Sequence, residues 1–275
     1  MAMYLGTPGR MVELKSAAAQ RRTRAERVAF EETAEGNVFG QTRPVGRRTW
    51  DVTLPAATTP YELAQIEAFV DGDWGIGPWA FLPVDALVTN TLTPDTAACR
   101  AGTIVKGTGL STVAPGGSMV LPDGRRSPRS WSKTQDGALY FGLNASPVLP
   151  GKVVTASAYV QGAAGAAGVI FYDALGGTVK SIESAVMSSA AVPVRSFLTT
   201  TVPAGAVSAR VFVNAAATLT TWPALTWTGS LLEYGAGRGC DYAQLTGFSD
   251  DLLMAIANPK FGRYSSASFM IREVG

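Results

Sequence analysis

The chain has 275 residues with a formal net charge of +2; 47% of the residues are hydrophobic, 16% are charged and none is histidine. This length fits two medium-sized domains, and so small a net charge argues against nucleic acid, which calls for a concentrated basic face. The lack of histidine excludes Ser-His-Asp and Cys-His catalysis and histidine-ligated metals, while the low charge fraction indicates that part of the surface is buried between subunits.

The N-terminal residues predict neither membrane insertion nor secretion by the chain's own signal. No apolar run approaches the roughly 18 residues of a membrane span. Met1–Tyr4 does not begin a signal peptide, because no basic segment precedes an apolar stretch.

Basic residues cluster at Arg21–Arg24 and Arg43–Arg48 with glutamates between them. The mixed signs favour a solvated or interface surface over an anionic partner.

Residues 27–54 are predicted to form strands of a half-buried antiparallel sheet. Arg27–Glu31 alternates apolar and polar residues, Glu35–Asn37 marks a turn and Val38–Phe39 resumes the strand. Arg48–Leu54 alternates again. Its apolar face consists of Trp50, Val52 and Leu54.

A short helix is predicted from Pro60 to Val70, packed on this sheet. Thr59 is a suitable N-cap, Pro60 suits the first helical position, and Glu62 completes a capping box. Asp71–Asp73 ends the helix. Its apolar face carries Leu63, Ile66 and Val70, with Phe69 beside them.

The segment Trp74–Pro83 is rich in turns and aromatic residues. We expect its tryptophans to fill the space between helix and sheet. The alternative is a binding edge or a subunit contact.

From residue 90 to 236 the composition changes to glycine, alanine, threonine and valine in short strands. Regular spacing with Gly and Pro turns predicts a β-sandwich or jelly roll. Leu121–Gly124 is a predicted turn, and Gly162–Gly168 is interpreted as a loose loop. The predicted strands are 138–143, 153–160, 169–173, 195–202, 209–214 and 225–234.

The last forty residues return to the composition of the first ninety. Asp250–Ala257 is a short helix or strand, Asn258–Pro259 a breaker and Ser268–Val274 a final strand with Phe269 and Ile271 inward. This strand needs a buried sheet face, and we expect it to pair within the sheet of residues 27–54. The sequence thus predicts a discontinuous domain of residues 1–89 and 237–275, with an inserted domain of residues 90–236.

Few residues indicate catalysis. Carboxylate pairs at Glu31/Glu32, Asp71/Asp73 and Asp250/Asp251 would suffice for glycoside hydrolysis, but they lie at turns or element starts, where acidic residues favour backbone amides anyway. No phosphate-binding glycine loop is present. Cys99 and Cys240 form neither a disulfide framework nor a cysteine zinc site; they are two unrelated thiols, or neighbours at the neck of the insert.

Alternation in the inserted domain separates buried from exposed residues. If Leu139, Phe141 and Leu143 point inward, Tyr140 points outward; by the same rule Thr155, Ser157 and Tyr159 point outward, and so do Arg210, Phe212 and Asn214. Rings stack on the apolar faces of sugars, and polar groups take their hydroxyls. The predicted carbohydrate-binding residues are Tyr140, Tyr159, Arg210 and Asn214. The alternative is an ordinary solvated face.

The two ends of the chain together resemble siphophage distal tail and related minor tail proteins. The resemblance rests on Arg48–Thr53, the helix Pro60–Val70, Gly72–Gly75 and Pro78–Phe81. The middle is similar to the carbohydrate-binding-module-like jelly rolls that such proteins often carry. It matches at Trp131-Ser132, Thr155–Val160 and Leu231–Gly235.

The resemblance implies a virion structural protein of the phage tail tip, or baseplate, whose split domain forms a ring, commonly a hexamer, linking the tail tube to the tip. Its partners would be other tail proteins, and the insert would project toward host-surface glycans. Assembly in a bacterial cytoplasm would keep both cysteines reduced. No catalytic residue, cofactor or metal is implied. The alternatives are a free carbohydrate-binding protein and, third, a glycoside hydrolase.

Overall fold

The computed structural model describes residues 2–14, 19–24, 28–33, 35, 38–42, 47–55, 58–107, 113–133, 137–162, 164–186, 190–215, 218–255 and 263–274. The fold is mainly β, with antiparallel pairing throughout the described ladders. In these ranges no helix has the length and apolar character needed to cross a membrane.

The described residues of the first part of the chain form seven strands and one helix. They are β1 (Met3–Thr7), β2 (Arg10–Leu14), β3 (Ala19–Arg24), β4 (Val28–Glu32), β5 (Val38–Thr42), β6 (Arg48–Thr53), α1 (Pro60–Val70) and β7 (Trp79–Leu82).

Where the structure describes the middle and the end, they form fourteen strands and two helical turns. They are α2 (Ala86–Thr89), α3 (Pro94–Ala97), β8 (Ile104–Lys106), β9 (Val113–Pro115), β10 (Met119–Val120), β11 (Arg126–Ser127), β12 (Trp131–Lys133), β13 (Ala138–Pro147), β14 (Val153–Gly162), β15 (Gly165–Tyr172), β16 (Thr178–Glu183), β17 (Ala190–Thr201), β18 (Ser208–Ala215), β19 (Thr218–Thr226), β20 (Cys240–Ala255) and β21 (Arg263–Glu273).

The chain divides into two compact units. The split unit comprises Met1–Leu5, Val12–Trp79 and Tyr242–Gly275; the sandwich unit comprises Gly6–Met11 and Ala80–Asp241. Residues 90 and 236, where the sequence placed the ends of the insert, fall inside the sandwich unit. One seven-stranded sheet has the order β2-β1-β7-β20-β21-β6-β3.

The last strand pairs with β6 as predicted, but residues 27–54 do not form one sheet, because β4 and β5 pair with each other in a separate two-stranded sheet. In the antiparallel β21–β6 ladder, Ser268 lies opposite Thr53 and Arg272 opposite Thr49. Phe269 and Ile271 are buried. The inward residues of the strand therefore find the apolar face that the sequence required.

An ion pair ties the two ends of the chain within the split unit. Arg48 Nη2 lies 2.7 Å from Glu273 Oε1, and both residues are mostly buried. The backbone N–H and Nε of Arg48 also donate to Glu273 Oε2, each at 3.0 Å. The guanidinium carbon stands 5.0 Å from the centre of the Trp50 ring.

Helix α1 has the predicted boundaries and cap. Thr59 Oγ1 accepts the backbone N–H of Glu62, whose side chain in turn accepts the backbone N–H of Thr59, and the helix contacts β21. Val70, expected on the buried face, is instead exposed. Phe69 takes that place, because its ring packs against Trp74 and Trp79 at centroid distances of 6.1 and 5.1 Å. The tryptophans thus pack as predicted.

One feature of the split unit was not predicted from the sequence, and a second decides between two predicted alternatives. Strands β1 to β3 were not predicted; in β1 the reason is that Met3–Gly6 is buried at every position, so the strand shows no alternation. Asp250–Ala255 is a strand rather than a helix. Asn258–Pro259 and the turn at Gly36–Asn37 lie outside the described residues.

The sandwich unit consists of two five-stranded sheets around one core. The front sheet has the order β16-β15-β18-β13-β8, and the back sheet has the order β17-β14-β19-β12-β9. The front sheet buries Leu139, Phe141, Val211 and Val213; the back sheet buries Val154, Ala156, Ala158 and Leu225.

Three local predictions in this unit are wrong. The run Gly162–Gly168 is not a loose loop, because β15 begins at Gly165 and Ala166 and Ala167 are buried. The strand predicted over 225–234 ends at Thr226. Leu143 is 62% exposed, because the β13–β18 register shifts between Phe141 and Ser146 and interrupts the alternation.

The sandwich unit contains the predicted turn before β11 and both buried cysteines. The turn at Leu121–Gly124 is confirmed by the hydrogen bond from Gly124 N–H to the Leu121 carbonyl, and it joins β10 to β11. Cys99 and Cys240 are both buried, and neither is in a disulfide.

Candidate functional site

Three of the four predicted carbohydrate-binding residues lie together on the outer face of the front sheet. Tyr140 belongs to β13, and Arg210 and Asn214 belong to β18, which pairs with it. Since their strand neighbours fill the core, these three side chains point to the opposite face. We call this surface the tyrosine–arginine face; its members are Tyr140, Tyr172, Glu183, Arg210, Phe212 and Asn214.

At the centre of the face, the rings of Tyr140 and Phe212 pack together, and Phe212 contacts the backbone of Gly168. Tyr140 lies opposite Phe212, with ring centroids 5.6 Å apart and planes inclined at 52°. A Cβ atom on Gly168 would be 2.3 Å from Cζ of Phe212, so the Phe212 ring lies directly on bare backbone. Phe212 is buried and Tyr140 only partly so. Phe212 therefore supports the more accessible ring of Tyr140.

An arginine and a second tyrosine flank this pair. The Arg210 guanidinium carbon lies 5.5 Å from the centre of the Tyr172 ring, within cation–π range. Burial raises the pKa of Tyr172, and the neighbouring Arg210 partly offsets this rise. The Tyr172 phenol is therefore neutral near pH 7.

A bulge in β13 positions the arginine. Gly142 has φ of +94°, and a Cβ there would be 2.8 Å from the Asn144 carbonyl oxygen. The bulge presents the Leu143 carbonyl, which accepts a hydrogen bond from Arg210 Nη2 at 2.6 Å. Arg210 also hydrogen-bonds the side chain of Tyr172, and because a guanidinium carries five N–H donors, further donors remain for a ligand oxygen.

The polar end of the face is an amide beside a carboxylate. Asn214 Nδ2 donates to Glu183 Oε1 at 3.0 Å, and this pair is exposed. Across β13, β15, β16 and β18 the face thus offers two phenols, a guanidinium, an amide and a carboxylate. Such a set can donate to and accept from sugar hydroxyls.

Tyr159 is not part of this face, and its prediction as a member of one common site is wrong. It belongs to β14 of the back sheet, so the sandwich core separates it from Tyr140. Its ring is 7% exposed and packs in a small cluster with Met119 and Leu121 of the β10–β11 hairpin. Trp222 meets it edge-on at 6.2 Å. Tyr159 is therefore a packing residue.

Sequence reasoning missed Tyr172 and Glu183 as members of the face. Tyr172 could have been found, because Val169 and Phe171 alternate with it in a predicted strand and both are buried. Glu183 gave no such signal: β16 is exposed at five of its six positions. Its place beside Asn214 follows from the pairing of β15 with β16 and β18.

Comparison with known proteins gives distant structural likenesses only. No family model matches the chain, and no curated protein matches it. The enzymatically active domain of tailspike protein 4 from bacteriophage CBA120 is 16% identical over 50% of this chain and 21% of its own, with a TM-score of 0.40. The chain thus spans about a fifth of that relative.

Two further structures show the same range of likeness. A family 22 carbohydrate-binding module of Clostridium thermocellum Xyn10B is 10% identical over 55% of this chain and 99% of its own, with a TM-score of 0.39. The infectious bursal disease virus VP2 subviral particle is 10% identical over 98% of this chain and 75% of its own, with a TM-score of 0.29. At these scores the likeness assigns neither family nor ligand.

The described acidic residues can be compared with the requirements of a metal site and of glycoside hydrolysis. The described residues contain no group of three or more acidic or cysteine side chains that could hold a metal ion. Of the carboxylate pairs considered for hydrolysis, Asp250/Asp251 are consecutive residues of strand β20, so their side chains point to opposite faces and cannot flank one glycosidic bond from a single face.

Proposed function

We propose that this protein is a virion structural protein of a bacteriophage tail tip that binds host-surface glycans through the tyrosine–arginine face. The split unit assembles with other copies into a ring, commonly sixfold, and with other tail proteins. The sandwich unit presents the face to the host. The protein acts without catalysis.

One observation carries the binding proposal: Tyr140, Arg210 and Asn214 are brought together on an outer sheet face, with Phe212 beneath the Tyr140 ring. A supported ring stacks on the apolar side of a pyranose at low cost in side-chain entropy. The Arg210 guanidinium and the Asn214–Glu183 pair supply hydrogen bonds to hydroxyls. Affinity per copy is weak, and a ring raises it through effective concentration.

The assembly proposal is supported by the low charge fraction of the chain and by the split unit. Only 16% of residues are charged, as expected where surface is buried between subunits. The last strand of the split unit pairs with β6, and Ala80–Asp241, the larger segment of the sandwich unit, lies between these two strands in the sequence, as in an inserted domain. An insertion can vary in ligand without disturbing the sheet on which it is mounted.

Binding is tested with the full-length protein against a glycan array and host cell-wall polysaccharide, followed by calorimetry. Tyr140→Ala should weaken binding at least tenfold, about 1.4 kcal/mol, because stacking is lost. Tyr61→Ala is the matched control: Tyr61 is a tyrosine on α1 of the split unit, 73% exposed, and its loss should not change affinity. Tyr159→Ala should lower stability and leave the affinity of the folded protein unchanged.

Two results would contradict the glycan proposal. One is the absence of binding to any host polysaccharide by assembled protein. The other is equal weakening by Tyr140→Ala and Tyr61→Ala, since the effect would then not depend on the face.

Assembly is tested by negative-stain imaging and light scattering of the purified protein and by labelling in virions. Rings support the tail-tip role. A stable monomer with measurable glycan affinity would favour a free carbohydrate-binding protein. Release of reducing sugars from a bound polysaccharide would overturn the non-catalytic part of the proposal.

A further inference from the structure

We propose that a cavity beside strand β9 is a second sugar site, which takes a single sugar unit bearing a carboxylate or a phosphate. The inference extends the proposed function, on which it rests for the class of ligand. The cavity is distinct from the tyrosine–arginine face: its walls come from β9, β12 and the segments next to them. Its volume is about 290 Å³, and its lining residues are Cys99, Ala101, Pro115, Gly117, Arg129, Ser130 and Trp131.

The walls of the cavity are largely apolar, with one aromatic ring. Trp131 pairs with Pro115 across β12 and β9 and is 7% exposed. Its indole N–H has no acceptor in the described part of the chain. A buried donor without a partner is costly unless something supplies an acceptor, and a ligand oxygen at the ring edge would do so.

One wall of the cavity contains a residue with a strained backbone, Cys99, which contacts a second such residue outside the lining, Trp222. Cys99 (φ 53°) and Trp222 (φ 48°) are the non-glycine residues with positive φ in the described chain. The two meet, because the backbone N–H of Trp222 is hydrogen-bonded to the Cys99 thiol. Strained residues persist where their surroundings enforce them, and they are concentrated at binding sites.

A hydroxyl network connects this wall to Arg129. Thr221 Oγ1 lies 3.9 Å from Cys99 Sγ and donates to the Arg129 carbonyl at 2.6 Å. Ser127 Oγ lies 2.7 Å from both Thr221 Oγ1 and the Arg129 carbonyl oxygen. The backbone of Arg129 is therefore fixed at the cavity before any ligand arrives, which lowers the entropic cost of binding.

The charge beside the cavity selects an anion. Arg125, Arg126 and Arg129 lie within five residues. Arg125 is paired with Asp123 and Glu233, whereas in the described chain no carboxylate pairs with Arg126 or Arg129. Arg129 is the one charged residue in the lining, so it is the partner for a carboxylate or phosphate, with which guanidinium forms paired hydrogen bonds.

The size and lining restrict the ligand to one sugar unit. A volume of about 290 Å³ is at the lower end of the range for ligand pockets, too small for an extended chain. The Trp131 ring and Pro115 suit the apolar side of a pyranose. The tyrosine–arginine face would then bind the chain of a glycan. The cavity would bind a charged sugar unit at the end of that chain or on a branch.

The test uses full-length protein with glucuronate, glucose 6-phosphate, glucose and inorganic phosphate, followed by calorimetry and by the indole N–H resonances. Glucuronate or glucose 6-phosphate should bind at least tenfold more tightly than glucose and shift the Trp131 N–H signal, assigned with Trp131→Phe. Whichever of glucuronate and glucose 6-phosphate binds more tightly identifies the anion as a carboxylate or a phosphate. In the Arg129→Gln variant, the affinity for that ligand should fall to the affinity for glucose.

Arg126→Gln is the matched control, an exposed arginine three residues away that does not line the cavity. It should leave binding unchanged. Tyr140→Ala should also leave binding of the charged sugar unchanged. A negative result for the cavity can therefore be told apart from a negative result for glycan binding at the tyrosine–arginine face. Equal binding of glucose, equal binding of inorganic phosphate, equal loss in both arginine variants, or no shift of the Trp131 signal would each overturn the proposal.

Discussion

The buried side chain of Asn90 joins segments of the sandwich unit that are far apart in the sequence. Its Nδ2 donates to the carbonyls of Pro223 and Gly235 at 3.1 and 3.3 Å, and its Oδ1 accepts the N–H groups of Leu92 and Leu225, each at 3.1 Å. The side chain is fully buried, and these four bonds use all the hydrogen-bonding capacity of a primary amide in two directions. It thereby holds the segment entering the sandwich against the segment leaving it.

We expect Asn90→Ala to lower the free energy of unfolding by at least about 3 kcal/mol, because four buried backbone groups lose their partner. Urea unfolding measures the loss. Asn144→Ala is the control, since Asn144 is exposed, and should cost less than about 1 kcal/mol. Similar small losses for both variants would show that water replaces the amide at residue 90.

Cys99 should make stability depend on alkaline pH. Burial raises the pKa of its thiol from about 9 to about 11, and hydrogen bonds from Thr221 and Trp222 offset only part of the rise. The folded protein thus holds the proton longer than the unfolded chain, so this contribution to stability is complete below about pH 9 and is lost as pH rises to about 11. The loss amounts to roughly 3 kcal/mol at most.

The measurement is denaturant unfolding from pH 8 to 11 under reducing conditions, for the native protein and Cys99→Ala. The variant should lose less stability across this interval, since it has no thiol to ionise. Parallel profiles for the two proteins would mean that the Cys99 thiol is not shielded from water in the folded state.

Helix α1 shows how far local signals determine an element. Its cap and its end were predicted from Thr59, Glu62 and Asp71, because capping depends on neighbours three or four residues away. The exposure of Val70 was not predictable in this way. Both Phe69 and Val70 fit a helical apolar stripe, and the contact of Phe69 with two tryptophans decided between them.

Thr59→Ala should lower the free energy of unfolding by about 1 kcal/mol through loss of the cap. Ile66→Ala should cost about 2–5 kcal/mol, because this side chain is fully buried. Tyr61→Ala, at an exposed position of the same helix, is the control and should cost under about 0.5 kcal/mol. Negligible and equal costs for Thr59→Ala and Ile66→Ala would contradict the packed, capped helix.

At the scale of the molecule, the two compact units have separate cores. The split unit buries Trp50, Ile66 and Ile271, and the sandwich unit buries Leu139 and Phe141 in a cluster of its own. Calorimetry should show two unfolding transitions. Ile66→Ala should lower the midpoint of one, and Leu139→Ala that of the other. A single transition that both variants shift equally would show that the units unfold together.

The sequence by itself determined the features that depend on near neighbours. The strands at Ala138–Phe141 and Val153–Val160, the capped helix and the turn at Leu121–Gly124 all follow from period and turn chemistry, which act over a few residues, although every residue of Val154–Val160 is buried. The pairing of Phe269 and Ile271 with the N-terminal sheet was also predictable, because the strand needed an apolar partner.

Only the tertiary structure decided which faces meet. Alternation marks Tyr140 and Tyr159 alike as outward residues, but it carries no information about sheet membership, which long-range pairing decides. That pairing put the two tyrosines on opposite sides of a core and covered Tyr159 with a hairpin. It likewise brought Tyr172 and Arg210 together and joined Cys99 to Trp222 across more than a hundred residues, because non-local contacts leave no local pattern in the chain.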